Sequence, residues 1–393
     1  GPTPSPPIQR FPTALAAAAL LAGAAQTQVS ITEIHFNPPG TDDLEEAIEL
    51  QGPANFDLSG WSIVVIEGDG TATGVVDQSI SLTGQTLGSN GLLLIRASNN
   101  VTLPGPDANT NIWVNNFTPD IENGSNTYLL GFGTAPAVGT DLDTPNLGTL
   151  NAGALSGFTV VDGIAVLEND GVNNFGYADD LGLPTYGQFL ASTFGPAGHS
   201  ASALYRVLDV DGNPLSWAGG VTFGTNPGGP YNFDFLANRI AGLLEADFTA
   251  LDLSLGVQNA RRSFVGGLGQ NALLAAAGGS QGLTLAAGGA EGGKFFLILG
   301  SVSGTVPGTP LGAVTLPLNL DSYTNFTLSS GSAVLTPANG FLNAGGRASS
   351  TLTLPALPGA LLPLTVHHAF LTLSVFPIIS IDFASNAVPL VLQ

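Results

Sequence analysis

Short apolar runs separated by turn residues recur along the whole chain. Residues 28–36 and 47–51 alternate apolar and polar side chains, and the run WSIVVIE at 61–67 is almost continuously apolar. Alternation with a period of two predicts a strand with one buried face, and a short apolar run between turns predicts a strand buried on both faces. Further strands are predicted at 92–96, 127–132, 158–167 (one strand or a pair), 203–208 and 221–223. The Gly, Asn and Asp clusters between the runs predict tight turns, and this spacing is typical of a β-sandwich.

The pattern changes after residue 232. Residues 233–256 place apolar side chains at roughly helical spacing, which predicts a short helix or linker. Strand-like runs resume at 294–300, 313–318, 351–354, 365–375 and 378–383. The sequence therefore predicts an all-β fold of two immunoglobulin-like or β-sandwich domains, at 26–232 and 271–393, joined by a short, partly helical linker at 233–270.

Charge divides the chain at about the same place. Of the 29 acidic residues, 26 lie before residue 257, whereas the eight basic residues divide evenly, so the two parts carry net charges of −22 and +1. This asymmetry supports a domain boundary near residue 257. Eight Lys and Arg in a chain of net charge −21 argue against binding to nucleic acid or anionic lipid, since both need basic side chains. An apolar content of 44% argues against a disordered chain.

Residues 1–25 resemble a secretory signal peptide. Arg10 precedes an apolar run at 11–25 that ends in small residues. A run of about fifteen residues is shorter than the ~20 that span a bilayer, so no transmembrane span is predicted. The chain has no cysteine, which excludes disulfides, thiolate metal sites and a cysteine nucleophile. Export without disulfides is ordinary for bacteria, and we expect a secreted or cell-surface bacterial protein.

Residues 31–61 resemble the start of the lamin-tail-like (LTD-like) domains of secreted bacterial proteins. The resemblance rests on short motifs in the family's order, which are Glu33-Ile34-His35-Phe36, Pro39-Gly40, Asp42-Asp43, Glu49-Leu50 and Asp57-Leu58-Ser59-Gly60-Trp61. The chain departs from the family pattern at Thr32, where Asn is usual, and at Ala47, where an aromatic residue is usual. The likeness continues through VVIEGDG, DIENGSNTYLL and VVDGIAVLEND and covers 28 to about 230. It implies a sandwich domain with an interaction or architectural role and no chemistry of its own.

Residues 278–393 resemble a second family, a C-terminal module common in large secreted proteins of planctomycetes. The residues that carry this likeness are GGSQGLTLAAG, FFLILGSVSGTVPG, LPLNLDSYTNFTL, LTVHHAFLTL and FASNAVPLVL. The module has no assigned activity, so the resemblance implies extracellular placement and no catalysis.

Carboxylates cluster just after the first predicted strand. Asp42, Asp43 and Glu45, followed by Glu46 and Glu49, lie in and after a turn. Ca²⁺ takes about six to eight oxygen ligands, so this density makes the first three residues candidate calcium ligands. The alternative is that the aspartates cap the turn and the glutamates form a solvated edge that deters strand pairing.

A second acidic stretch, DLDTPNLGTLN, begins with Asp141 and Asp143 and resembles a calcium loop. Pro145 and Leu147 stand where that loop needs oxygen ligands, which predicts weak binding or none. Asp209, Asp211 and Asn213 form a smaller acidic set, for which a β-turn is the better interpretation.

Catalytic motifs are weak. Residues 278–282 match G-x-S-x-G with Ser280 at the nucleophile position, but they lie between Ala and Gly runs with no following helical pattern and no recognisable His and Asp partners. His367 and His368 are consecutive in a predicted strand, so they face opposite sides. We therefore predict no enzymatic activity, no catalytic residue and no cofactor other than calcium.

The favoured function is a structural subunit of the cell surface or extracellular matrix that associates with copies of itself, as a homo-oligomer or filament. Long apolar strands with few charges are poorly protected against edge pairing, and the nearly neutral C-terminal part could pack against the acidic part of the next copy. The alternative is an adhesion module that binds carbohydrate or another surface polymer. That alternative needs exposed aromatic platforms, and Trp61 (expected in the core), Trp113 and Trp217 are the tryptophans available.

Overall fold

The computed structural model describes residues 29–38, 44–100, 105–167, 174–186, 202–224, 231–234, 254–267, 272–273, 275–357, 363–374 and 379–392. The signal-peptide-like segment, most of the predicted helix at 233–256 and the candidate ligands Asp42 and Asp43 lie outside these residues. The described residues are mostly strands, with one α-helix, so the prediction of an all-β fold is confirmed.

The strands of the N-terminal part form two sheets. In chain order they are β1 (Ser30–His35), β2 (Ala47–Gln51), β3 (Trp61–Glu67), β4 (Val76–Ser81), β5 (Leu92–Arg96), β6 (Asn111–Val114), β7 (Asn126–Gly133), β8 (Phe158–Val166), β9 (Thr185–Tyr186), β10 (Ala203–Leu208), β11 (Pro214–Gly224) and β12 (Tyr231–Asp234). A seven-stranded sheet has the order β12-β11-β10-β1-β2-β5-β6, and a five-stranded sheet has the order β4-β3-β7-β8-β9. Neighbouring strands are antiparallel except β5–β6 and β8–β9, which are parallel. A 3₁₀ helix lies at Asp179–Leu181.

These two sheets enclose the first hydrophobic core. Successive side chains of a strand face opposite sides, so alternate residues of the central strands point into the space between the sheets. The buried members of this core include Ile31, Ile34, Ile63, Val65 and Tyr128. Smaller apolar clusters cover the outer face of each sheet. We call this sheet pair the N-terminal sandwich.

The C-terminal part has a second sheet pair, the C-terminal sandwich. Its elements are β13 (Phe264–Gly266), β14 (Ala272–Leu273), β15 (Gly279–Ala286), β16 (Phe295–Ser301), β17 (Thr309–Leu311), β18 (Val314–Leu316), α1 (Ser322–Ser330), β19 (Leu335–Thr336), β20 (Asn339–Phe341), β21 (Arg347–Leu354), β22 (Leu364–Ser374), β23 (Ser380–Ala384) and β24 (Val388–Leu392), with 3₁₀ turns at Gly289–Glu291 and Gly331–Ala333. One sheet has the order β13-β15-β21-β19, the other β14-β24-β22-β16-β20 with β23 also on β22, and β17 pairs with β18. The core between the sheets includes Phe264, Phe296, Leu352 and Phe370.

Residues 254–266 connect the two sheet pairs. Leu255 packs on the outer face of the seven-stranded sheet, and β13 then pairs with β15 of the C-terminal sandwich. An ion pair between Arg347 and Asp209 adds a contact between the two parts. The predicted linker at 233–270 thus includes one strand of the second sheet pair.

The sequence pattern locates many strands but misses some elements. The predictions at 47–51, 61–67, 92–96 and 203–208 coincide with β2, β3, β5 and β10, whereas β15 and α1 have no counterpart among the predictions. Four of the nine residues of α1, which are Tyr323, Thr324, Phe326 and Thr327, favour strands by propensity. A capping box overrides that preference: Asp321 accepts a hydrogen bond from the Thr324 N–H at 2.9 Å, and the Thr324 hydroxyl accepts one from the Asp321 N–H at 3.1 Å. Within the described residues, no helix combines the length and apolar character needed to cross a membrane.

Candidate functional site

Two buried glutamates face each other on adjacent strands. Glu33 of β1 is the cross-strand neighbour of Glu49 of β2, and neither side chain is exposed to solvent. Burial raises the pKa of Glu49 to about 8, because a carboxylate loses its hydration there. Glu33 accepts hydrogen bonds from the Ser254 N–H at 3.0 Å and from the Ser254 hydroxyl at 2.5 Å. Glu49 accepts hydrogen bonds from the Thr32 hydroxyl and from the Gly256 N–H, both at 2.6 Å.

These contacts fix residues 254–259, which we call the clasp segment, across the seven-stranded sheet. Thr110 donates to the carbonyl oxygen of Gly256 at 2.7 Å, and the Asn259 side chain donates to the carbonyl oxygens of Thr32 at 3.2 Å and Arg206 at 2.9 Å. The chain's own backbone therefore engages both buried carboxyl groups. Both carboxyl groups are also shielded from solvent.

An ion pair links the two sheets inside the N-terminal sandwich. Arg206 of β10 donates to both carboxylate oxygens of Asp162 of β8, at 2.6 and 2.5 Å, and to the carbonyl oxygen of Ile31 at 3.1 Å. Its guanidinium lies 4.0 Å from the ring centroid of Trp217. Trp217 is only 4% exposed, so it stacks on the buried cation and presents no platform to solvent.

The first candidate calcium cluster is only partly described, because Asp42 and Asp43 lie outside the described residues. Glu45 is fully buried, and its carbonyl oxygen accepts a hydrogen bond from the Asn100 side chain. The same Asn100 nitrogen lies 3.3 Å from Nδ1 of His35, whose pKa burial lowers to about 3. Glu45 therefore lies in the interior beside a neutral imidazole, away from the solvated edge that the alternative interpretation expected.

The second candidate calcium loop is braced by its own chain. The Asp143 carboxylate accepts hydrogen bonds from the N–H groups of Leu147 at 3.0 Å and Gly148 at 2.7 Å, and from the Tyr177 hydroxyl at 3.0 Å. Asp141 accepts from the N–H of Asp143 at 2.9 Å. N–H and O–H donors thus occupy the carboxylate positions that a cation would need. Across the described ranges, no group of three His, Asp or Glu side chains is arranged to hold a metal ion.

The Asp209 set forms the turn between β10 and β11. Asp209 accepts hydrogen bonds from the N–H groups of Asp211 at 3.0 Å and Asn213 at 2.8 Å, besides its ion pair with Arg347. Asp211 accepts from the Gly289 N–H at 2.9 Å. The turn interpretation fits, and the same carboxylates also join the two sheet pairs.

Among the described residues, the weak catalytic motif does not form a nucleophile elbow. Ser280 is exposed near the start of β15, a strand that continues to Ala286, so the serine is not at a strand-to-helix turn. His368 lies in the opposite sheet with its Nε2 2.9 Å from the Tyr323 hydroxyl, and burial lowers its pKa to about 3, helped by His367. His368 is buried and His367 is partly exposed, as strand alternation predicts.

Aromatic side chains form one partly exposed surface group. Trp61 lies edge-on to Phe56, with ring centroids 6.0 Å apart, and 5.6 Å from Phe132, which is 44% exposed. Trp61 is half-buried and packs against the first hydrophobic core, whereas the sequence predicts a position within the core. Trp113 is also half-buried, in β6.

The buried polar groups of this region have little signal in the sequence. The burial of Glu33 and Glu49 is not predictable from the sequence, because Ser254 and Gly256, which donate to them, are more than 200 residues away in the chain. Arg206 offered a signal, since it is the one charged residue within the run ALYRVL. A charge inside a buried strand predicts a buried partner, although not which one.

No family model matches this chain, and no curated protein or solved structure is significantly similar to it. The likenesses to lamin-tail-like domains and to the planctomycete module therefore stay predictions.

Proposed function

We propose that this protein is a secreted, non-enzymatic structural subunit of the bacterial cell surface or extracellular matrix that associates with copies of itself. The observation that carries the proposal is the character of two terminal strands. β6 and β20 end their sheets, and both expose apolar side chains. Ile112 and Val114 of β6 are 45% and 55% exposed, and Phe341 of β20 is 69% exposed.

Such edges favour pairing with another chain. An edge strand presents unpaired N–H and C=O groups, and soluble proteins usually guard it with Lys, Pro or a bulge. β6 reads NIWV and has neither Lys nor Pro, while Ile112 and Val114 project on one face. Strand pairing there would bury both side chains against the second copy.

Several sequence features support an extracellular location. The N-terminal 25 residues have the charge and apolar pattern of a signal peptide, and the absence of cysteine suits export from a bacterium. A net charge of −21 keeps the chain away from nucleic acid and anionic lipid and limits association to surfaces where apolar contact outweighs repulsion.

The test is assembly of the full chain with one edge guarded. Val114→Lys places a charge on the β6 edge, and Val138→Lys is the matched control, because both valines are 55% exposed and Val138 lies in a loop. We expect the parent and the control to form oligomers or fibres by light scattering and electron microscopy, and Val114→Lys to form smaller species. A parent that remains monomeric at high concentration contradicts the proposal.

Carbohydrate or surface-polymer binding is the second candidate, and the group formed by Phe56, Trp61 and Phe132 is the observation that favours it. Exposed aromatic rings can stack on sugar faces. Retention on a polysaccharide resin that Phe132→Ala abolishes would favour adhesion. Trp217→Ala is a poor probe for this purpose, because the buried indole stacks on Arg206.

A further inference from the structure

The edge of the seven-stranded sheet at β6 combines outward backbone groups with apolar side chains. The N–H of Asn115, which follows β6, donates to the carbonyl oxygen of Arg96 in β5 at 2.9 Å. Alternate residues of a strand bond to the same neighbour, so Trp113 bonds to β5, whereas Ile112 and Val114 direct their N–H and C=O groups away from it. These same two residues place their exposed side chains on one face of the strand.

The edge of the C-terminal sandwich at β20 has the same arrangement. The N–H of Leu342, which follows β20, donates to the carbonyl oxygen of Lys294, which precedes β16, at 2.9 Å. By the same alternation, Gly340 bonds to β16, whereas Asn339 and Phe341 direct their N–H and C=O groups away from it. An exposed phenyl ring therefore accompanies the outward backbone groups of this edge.

The side chains of the two edges complement each other. Ile112 and Val114 are two residues apart in β6, so their Cα atoms are about 6.6 Å apart and one large ring can contact both side chains. Phe341 is such a ring, and an aromatic side chain opposite β-branched ones is a favourable cross-strand pair. Phe295 lies edge-on to Phe341, with ring centroids 5.4 Å apart, so the ring is held in place before any pairing.

Charge disfavours contact between two β6 edges. Such a contact would bring together two parts of the chain that each carry a net charge of −22, whereas β20 belongs to the part of net charge +1. Asp107 precedes β6 and Asp120 follows it, and both are exposed, so like charges would also meet close to the contact. Pairing of β6 with β20 avoids this repulsion.

Contact between two β20 edges is disfavoured by its side chains. In an antiparallel pair centred on Gly340, Phe341 of each copy would lie opposite the polar Asn339 of the other. Both β6 edges would then remain uncovered. The contact between β6 and β20 is the one that covers the apolar side chains of both edges.

We propose that β6 of one copy pairs with β20 of the next copy, so that the chain assembles head to tail. This inference rests on the self-association proposed above and names the two surfaces that meet. Because the two edges belong to different parts of the chain, each copy that pairs at one edge keeps the other open. A contact of this kind extends into a filament unless its rotation closes a ring.

The experiment mixes two variants that each guard one edge. Val114→Lys guards β6 and Phe341→Lys guards β20, and both replaced side chains are more than half exposed, so the cores stay intact. Each variant alone should remain monomeric by size-exclusion chromatography with light scattering, because its one open edge meets only guarded counterparts. An equimolar mixture should form heterodimers, since the first variant supplies β20 and the second supplies β6. Val138→Lys should assemble like the parent.

Cysteine cross-linking then locates the contact, because the chain has no cysteine of its own. A disulfide needs Cα atoms within about 7 Å, which neighbouring residues of paired strands satisfy. Val114→Cys mixed with Phe341→Cys should give about tenfold more disulfide-linked dimer than either variant alone, or than Val138→Cys mixed with Phe341→Cys, because pairing holds the two thiols close. Ile112→Cys and Asn339→Cys cover the other registers, and equal urea midpoints for all variants verify the fold.

The outcomes separate this inference from the proposed function. Cross-linking of Val114→Cys alone, or dimers of Phe341→Lys alone, would mean that β6 pairs with itself and would overturn the head-to-tail contact. A parent that assembles while no cysteine mixture cross-links would also overturn it, because other surfaces would then carry the assembly and the structural role would stand. A parent that stays monomeric overturns the structural role and this inference together.

Discussion

The two sheet pairs have similar architecture but bury different chemistry. The N-terminal part buries Glu33 and Glu49 on the outer face of the seven-stranded sheet, beneath the clasp segment, and it buries the Arg206–Asp162 pair between its two sheets. The core of the C-terminal sandwich consists of Phe, Leu, Val, Ile and Ala, and His368 is its one fully buried titratable group among the described residues. Lys294 and its two carboxylate partners remain partly exposed.

The two regions therefore derive their unique conformations from different interactions. A buried charge is tolerated only where partners are in place, so each such group in the N-terminal sandwich requires one particular long-range arrangement. An apolar core accepts many combinations of similar volume and is specified by packing. We therefore expect the N-terminal sandwich to respond to changes of charge and the C-terminal one to changes of volume.

Removal of the buried guanidinium should have the largest effect. Arg206→Met keeps an apolar stem beside Trp217 but leaves the Asp162 carboxylate buried without its cation, which costs about 3–5 kcal/mol of unfolding free energy. All three tryptophans, Trp61, Trp113 and Trp217, lie in the N-terminal sandwich, so urea unfolding followed by tryptophan fluorescence reports on this region alone. The double variant Arg206→Met, Asp162→Leu should regain most of the loss. A single variant that loses less than 1 kcal/mol would mean that water reaches Asp162.

In the C-terminal sandwich, the corresponding test is a reduction in the volume of a buried side chain. Leu352 of β21 is fully buried, and Leu352→Ala should cost about 3 kcal/mol through lost burial and the cavity left behind. Far-UV circular dichroism should show an earlier transition, while the midpoint from tryptophan fluorescence stays constant. A shift of both midpoints would contradict the separate behaviour of the two regions and indicate that the clasp segment couples their unfolding.

The same contrast explains how far the sequence could be interpreted. Alternation and β-branched content predicted β2, β3, β5 and β10, because these signals are local. The helix α1 depends on a cap at Asp321 and on packing against β16, and the candidate sites depend on partners that sequence spacing does not disclose. The acidic side chain of Asp143 predicts a metal ligand, whereas in the structure it accepts hydrogen bonds from the N–H groups of its neighbours and braces the loop.

The pH dependence of the unfolding free energy should show a smaller difference between the two regions. Glu49 has its pKa raised by burial from 4.5 to about 8, so the folded chain keeps a proton that the unfolded chain releases. Stability from this group is therefore fully present below pH 4.5 and is lost as pH rises toward 8, with a slope on the order of 1 kcal/mol per pH unit. Glu49→Gln should flatten the slope measured by tryptophan fluorescence. Glu67 has the same sign of shift, so part of the slope should remain. Parallel curves for parent and variant would assign the pH dependence to other groups.

The smallest loss of stability should come from removal of the hydrogen bond between Tyr323 and His368 in the C-terminal sandwich. Tyr323→Phe removes the hydroxyl 2.9 Å from His368 and should cost about 1 kcal/mol, the usual net value of one hydrogen bond. Burial lowers the pKa of His368 to about 3, so its contribution to stability is lost as pH falls from 6.5 toward 3. Because burial is the main cause, the variant should keep this window, which NMR titration of the imidazole measures. A His368 pKa that rises toward 6 in Tyr323→Phe would show that water enters the space left by the hydroxyl. The conformation of this core would then depend on a polar contact as well as on apolar packing.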